Sequence, residues 1–341
     1  MAEDKPRPAL DDPNAYVLYR YHPSQVAAII FVVLFGLTTI LHLFQLIKKR
    51  TWYFIPLVVG GAFETVGFIG RYLSHNDVWA LSPFIMQSLL ILVAPALFAA
   101  SIYIILGRVI LMVDGERYSL IRQKWLTKTF VAGDVLSFMM QGSGGGIMAG
   151  GTLNSMELGE KIIIGGLFVQ LIFFTLFVVV AADFHRRLIK DIPVEKRYTP
   201  AALFRKGRND RFAAITTLTA VLSREAVHEL PWKRHLYVLY GTSALILVRS
   251  VFRVIEYIQG NAGYLLSNEV FLYVFDAALM FLVMVTFNWI HPSQVTDLYQ
   301  KRQSAHGTVE LQQARDEYLG HGHNNSDISH GKPETRVGTF V

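Results

Sequence analysis

Eight ionisable side chains stand inside long hydrophobic runs of this chain: Glu64, Arg71, Arg108, Asp134, Arg249, Arg253, Glu256 and Asp276. An ionisable group at mid-bilayer costs about 2.5–3.5 kcal/mol or more, so such residues face a helix-bundle interior and take partners. Four arginines and four acids make the set formally neutral. Glu64 and Arg71 are seven residues apart, and Arg249, Arg253 and Glu256 follow at i, i+4 and i+7, so each group shares a helical face. Depth counted at about 1.5 Å per residue from the ends of the runs predicts four level pairs: Glu64 with Arg249, Arg71 with Glu256, Arg253 with Asp276, and Arg108 with Asp134. Carboxylates in such a network attract a cationic amphiphile, and arginines attract an anionic headgroup. The same pairs can equally serve to lock helices together.

Further polar residues accompany them at membrane depth. Gln87 and Tyr103 lie in the third hydrophobic run, Gln141 in the fourth and Gln170 in the fifth. Glu64, Arg71, Arg249, Arg253, Glu256 and Asp276 are expected to line an outward-leaning cavity, with Gln87 and Tyr103 beside it. Arg108 and Asp134 are expected to join helices near the cytoplasmic face. Gln141, Gly142, Gly144 and Glu269 are further candidates for the cavity wall, Glu269 either attracting ligand at the outer mouth or facing water. The run Gln141-Gly-Ser-Gly-Gly-Gly146 lacks the Lys-Ser/Thr of a phosphate loop. Repeated glycine there either admits close helix approach or lets the helix unwind along a substrate route.

The elements that must position these groups are membrane helices. Hydrophobic residues make up 52% of the 341-residue chain and charged residues only 17%, against roughly a quarter charged in soluble domains. Seven apolar runs, at 25–47, 52–73, 83–113, 129–148, 162–182, 236–255 and 270–290, approach or exceed the ~20 residues needed to cross hydrocarbon. Lys and Arg in the connections divide twenty-four against four between the two sides. The positive-inside rule then puts the N-terminus outside and the C-terminus in the cytoplasm. The expected fold is an all-α polytopic membrane protein of seven transmembrane helices. An extracellular tail (1–23) precedes the helical domain (24–295), and a disordered cytoplasmic tail (296–341) follows it. The cytoplasmic loop 184–235 carries a basic amphipathic pattern that suits a helix on anionic inner-leaflet lipid.

Cysteine is absent, which removes thiolate chemistry, iron–sulfur clusters and Cys-ligated zinc. Only His42 lies within a span, and the last span has no Lys for a retinal-type linkage. No cofactor and no metal is therefore expected. The net charge of +6 is accounted for by topology, so nucleic acid is not an expected partner.

The motifs together resemble a known family. Phe63-Glu64-Thr-Val-Gly67 through Arg71-Tyr72, Ala94-Pro95-Ala96-Leu97-Phe98-Ala99-Ala100-Ser101-Ile102-Tyr103, Asp134-Val135, and Arg249-Ser-Val-Phe252-Arg253-Val-Ile-Glu256-Tyr257 with Glu269, Tyr273 and Asp276 are similar to the fungal RTA-like family, also called lipid-translocating exporters. Tyr21-His22-Pro23-Ser24 and His291-Pro292 extend the resemblance over residues 16–295. Asn268 departs from it, since a His is expected before Glu269. The resemblance implies a seven-helix protein of fungal membranes, chiefly the plasma membrane. It also implies tolerance of toxic amphiphiles through handling of sphingoid-base, sterol-like or porphyrin-type compounds. A seven-helix receptor for a lipid-like ligand is the main alternative, and an intramembrane hydrolase a weaker one.

Overall fold

The computed structural model describes residues 17–113, 115–148, 153–194, 232–261 and 263–293. Seven long helices account for most of them: α1 (Gln25–Lys48), α2 (Ile55–Ser74), α3 (Leu81–Met112), α4 (Gln123–Met148), α5 (Leu153–Lys190), α6 (Trp232–Ile258) and α7 (Glu269–Trp289). Local chemistry sets several boundaries. The Ser24 hydroxyl caps α1 by accepting from the Ala27 N–H. Pro56 enters α2 in its first turn, where a missing N–H costs nothing. α6 ends where Gly260 adopts φ 74°, a left-handed conformation that glycine adopts without strain.

Six of these helices are long and apolar enough to cross a membrane. The fourth, α4, has 26 residues, but Asp134, Gln141 and the glycine run dilute its hydrophobicity. Apolar side chains such as Val26, Ile30, Leu37 and Phe44 of α1 are exposed, while Glu64, Arg71, Arg249 and Asp276 are buried. This distribution suits a lipid solvent, in which polar groups must be satisfied internally.

Consecutive helices are neighbours throughout the bundle, α1 also meets α7, and α3 reaches across to α6. Close approach of α2 to α3 depends on glycine: a Cβ on Gly60 would come within 2.6 Å of Phe98, and one on Gly67 within 2.7 Å of Ile91. Aromatic groups fill much of the interior. Phe31, Phe35, Phe68 and Tyr273 stack together between α1, α2 and α7. Tyr103, Phe130, Phe174 and Phe177 join α3, α4 and α5.

The Gln141–Gly146 run is helical, which overturns the unwound alternative. Gly144 instead faces α5, where an added Cβ would lie 2.6 Å from the Gly159 carbonyl oxygen. α5 continues beyond the expected span to Lys190, and α6 begins at Trp232. The amphipathic pattern of loop 184–235 and the tail 296–341 fall almost wholly outside the described residues.

The expected Arg108–Asp134 pair is not formed. Asp134 accepts from the Tyr103 hydroxyl at 2.9 Å, whereas the Arg108 guanidinium lies 3.5 Å over the Tyr53 ring. Equal depth left azimuth open, and Tyr103 occupies the position facing Asp134. Tyr103→Phe is expected to destabilise the protein by about 1.5–3 kcal/mol, because a buried carboxyl then loses its hydrogen-bond donor. Thermal unfolding in detergent measures this; an unchanged midpoint would mean that the bond contributes nothing.

Candidate functional site

α6 presents Arg249, Arg253 and Glu256 on one face, and a π-helical turn at Tyr273–Ala277 breaks α7 opposite them. Such a turn inserts one residue and re-aims those beside it, and here it holds Asp276. The Arg249 Nε donates to Asp276 Oδ1 at 2.5 Å and its Nη2 lies 3.4 Å from Oδ2. The same Nη2 donates to the Ile91 carbonyl at 3.2 Å. That carbonyl would ordinarily accept from the N–H four residues later, but residue 95 is proline and has none. Pro95 thus frees an acceptor for Arg249.

This geometry corrects three predicted pairs. Asp276 takes Arg249 rather than Arg253. Arg253 binds Glu256 on its own helix at 2.6 Å, so Glu256 does not take Arg71. Glu64 is fully buried beside Arg249 and Asp276, but neither of its carboxyl oxygens has a hydrogen-bond partner. Arg249 directs its Nε and Nη2 to Asp276 and the Ile91 carbonyl instead.

Arg71 has become a hub through the segment that precedes α1. Its Nη2 donates to the Tyr21 hydroxyl and to Glu269 Oε1, both at 2.8 Å, and its Nε donates to the Tyr273 hydroxyl at 3.0 Å. Glu269 also accepts from the Ser24 N–H at 2.8 Å and the Tyr273 hydroxyl at 2.9 Å. The Tyr19 hydroxyl lies 2.9 Å from both Ser74 Oγ and Gln87 Oε1. Arg20 donates to Asn261 at 2.9 Å, and the Pro23 carbonyl accepts from His75 at 2.7 Å. Residues 17–24 therefore form a strap tied to α2, α3 and the α6–α7 turn. Burial pushes the Tyr21 phenol up, so it meets Arg71 as a neutral hydroxyl.

Beneath the strap is a cavity of about 380 Å³, bounded by residues of α2, α3, α4, α5, α6, the α6–α7 turn and α7. Of the predicted residues, Arg71, Gln87, Gln141, Gly142, Arg253, Glu256 and Asp276 line it. Glu64, Arg249, Tyr103, Gly144 and Glu269 stand behind or away from the wall. Sequence reasoning missed Tyr19, Glu160, Gly145, Gly146 and Tyr257, which also line it. The strap had one available signal, the alternation Val17, Tyr19, Tyr21 that an extended segment with one covered face produces.

Three buried polar atoms on wall residues have no hydrogen-bond partner: Gln141 Oε1, Arg253 Nε and Arg71 Nη1. The Gln141 amide nitrogen is engaged, donating to Ser137 Oγ at 2.7 Å and Gln170 Oε1 at 3.3 Å. Apolar walls with a few unmatched polar atoms are the ordinary make-up of a small-molecule site. Among the described residues, no group of three or more His, Cys, Asp or Glu could hold a metal ion.

Long apolar helices enclosing a polar core and a ligand-sized cavity define an integral membrane protein. Residues 57–298 match the family model described as RTA1 like protein, and the chain belongs to that family. It is 34% identical over 310 residues to protoporphyrin uptake protein 1 of Saccharomyces cerevisiae, covering 81% of this chain and 92% of that protein. It is 31% identical to protein RTM1 of the same species, covering 80% and 91% of the two chains. With the sphingoid long-chain base transporter RSB1, also of Saccharomyces cerevisiae, identity is 27%, covering 77% and 70%. No solved structure matches the chain.

Proposed function

We infer that the protein transports amphiphilic, lipid-like compounds and that the cavity beneath the strap holds their polar heads. The observation carrying this reading is the cavity itself, apolar on most of its wall and lined by residues that carry buried, unpartnered donor and acceptor atoms. An amphiphile satisfies both parts, its head meeting Gln141, Arg71 and Arg253 while its chain stays against hydrocarbon. Glu160 adds a carboxylate to the wall without a salt bridge to any described residue, suited to an amine. The names of the relatives, one a sphingoid long-chain base transporter and another a protoporphyrin uptake protein, support the same class of cargo.

In this reading α4 is the seventh span. An odd number of spans puts the termini on opposite sides, and the basic connections assign the strap to the exterior and the C-terminus to the cytoplasm. The cavity then lies in the outer half of the bilayer. The plasma membrane is the location that the family resemblance supports. A receptor would use the same cavity without net movement of its ligand.

The test is purified protein in liposomes with a fluorescent sphingoid base added to one side. Proteoliposomes should move the base across the bilayer faster than protein-free vesicles, and equal rates would sink the transport reading in favour of a receptor. Glu160→Gln should lower transport of a cationic single-chain amine about tenfold, the effect of losing one charge-assisted contact. Unchanged transport would remove Glu160 from headgroup recognition.

A further inference from the structure

The cavity is not sealed from the side. Leu81, Ile85 and Leu89 line it from α3 and are exposed. Across from them, Gly142, Gly145 and Gly146 line it from α4, and a Cβ added at any of the three would meet no atom within 4 Å. Residues i, i+3 and i+4 share one helical face, so one face of α4 is bare backbone beside open space. The opposite face is tightly packed, with Gly144 against the backbone of Gly159. Towards their other ends the two helices are joined by the Tyr103–Asp134 bond and the contact of Tyr103 with Phe130. α3 and α4 therefore meet at one end and leave a slot at the strap end.

Gln141 is a second, independent pointer to a ligand. It is 3% exposed, lines the cavity next to the glycine face, and its Oε1 has no partner. An unmatched buried acceptor costs free energy unless something donates to it. A hydroxyl or amine on a molecule entering between α3 and α4 would do so once the Gln141 amide turns towards the cavity.

We propose that the slot between α3 and α4 at the strap end is a lateral portal, through which a single-chain amphiphile passes from the surrounding leaflet into the cavity, its head reaching Gln141 and its chain lying across Gly142, Gly145 and Gly146. The proposal rests on the ligand reading above and adds the route. Entry from lipid spares the chain exposure to water, which costs about 0.8 kcal/mol for each CH₂. The strap can therefore stay tied by Arg71, Tyr21 and Glu269 while ligand exchanges.

Two measurements test it. The first uses wild-type protein in liposomes with a photoactivatable sphingoid base carrying a diazirine in its chain. Crosslinks should map to the α3 segment 81–92 and the α4 segment 141–148; crosslinks confined to other helices would overturn the portal, whether or not transport occurs. The second is a size series, Gly145→Ala, Gly145→Val and Gly145→Phe, assayed for transfer of the fluorescent base. Transfer should fall with side-chain volume, at least tenfold for Phe, with the unfolding temperature unchanged because the space is open. Leu37→Phe, on the exposed face of α1, should leave transfer as it is. Active wild-type protein with full transfer by Gly145→Phe would overturn the portal and leave the cavity reading standing. Protein-free rates in wild type would sink the transport reading instead, with the crosslinks still deciding the portal.

Discussion

Arg249→Ala is expected to lose most of the folded protein. The guanidinium is 1% exposed and bonds Asp276 through two nitrogens while also satisfying the Ile91 carbonyl. Its removal strands Asp276 beside Glu64, two buried carboxyl groups that have lost the positive charge of Arg249. Breaking a buried pair in this way costs about 3–5 kcal/mol, a large part of the 5–15 kcal/mol that holds a typical domain together. The double change Arg249→Ala with Asp276→Ala removes the stranded partner and should recover much of that loss. Pairing Arg249→Ala with Glu64→Gln should recover less, because Arg249 bonds Asp276 and not Glu64. Unfolding midpoints in detergent for the singles and doubles give the coupling directly. Equal stability of Arg249→Ala and its Asp276 double would show that the pair contributes nothing.

Gly144→Leu and Gly145→Leu should differ sharply although they are neighbours in sequence. A Cβ at 144 would lie 2.6 Å from the Gly159 carbonyl oxygen and 2.8 Å from Ile163 Cγ1. A backbone carbonyl on a packed helix cannot step aside, so α4 and α5 must separate. Overpacking of this kind costs about 1–3 kcal/mol and occasionally more, and the upper end is expected where backbone is the obstacle. A Cβ at 145 meets no atom within 4 Å, so its Leu variant should fold and unfold as wild type does. Size-exclusion profiles and unfolding midpoints of the two variants make the comparison. Equal behaviour would show that α4 does not pack on α5 through residue 144.

Membrane character was determined by the sequence alone, because apolar length is a one-dimensional property that lipid reads directly. Six of the seven hydrophobic runs are helices able to span, and the motifs at 63–103, 134 and 249–276 were enough to indicate the family that the family model matches. The interior charges were also legible, since lipid favours turning them inwards, and six of the eight, Glu64, Arg71, Asp134, Arg249, Glu256 and Asp276, are buried. Which charge meets which was decided by tertiary structure. A pair needs matching azimuth, tilt and reach as well as depth, and a linear count supplies depth only. The π-helical turn rotated Asp276 onto Arg249, and Pro95 released the carbonyl that steadies that arginine. A segment outside the spans brought Tyr21 to Arg71 and Ser24 to Glu269. The glycine run shows the same division within six residues. Its composition was plain, but only the placement of α5 made Gly144 a packing contact and left Gly142, Gly145 and Gly146 facing open space, because helix faces acquire meaning from what packs against them.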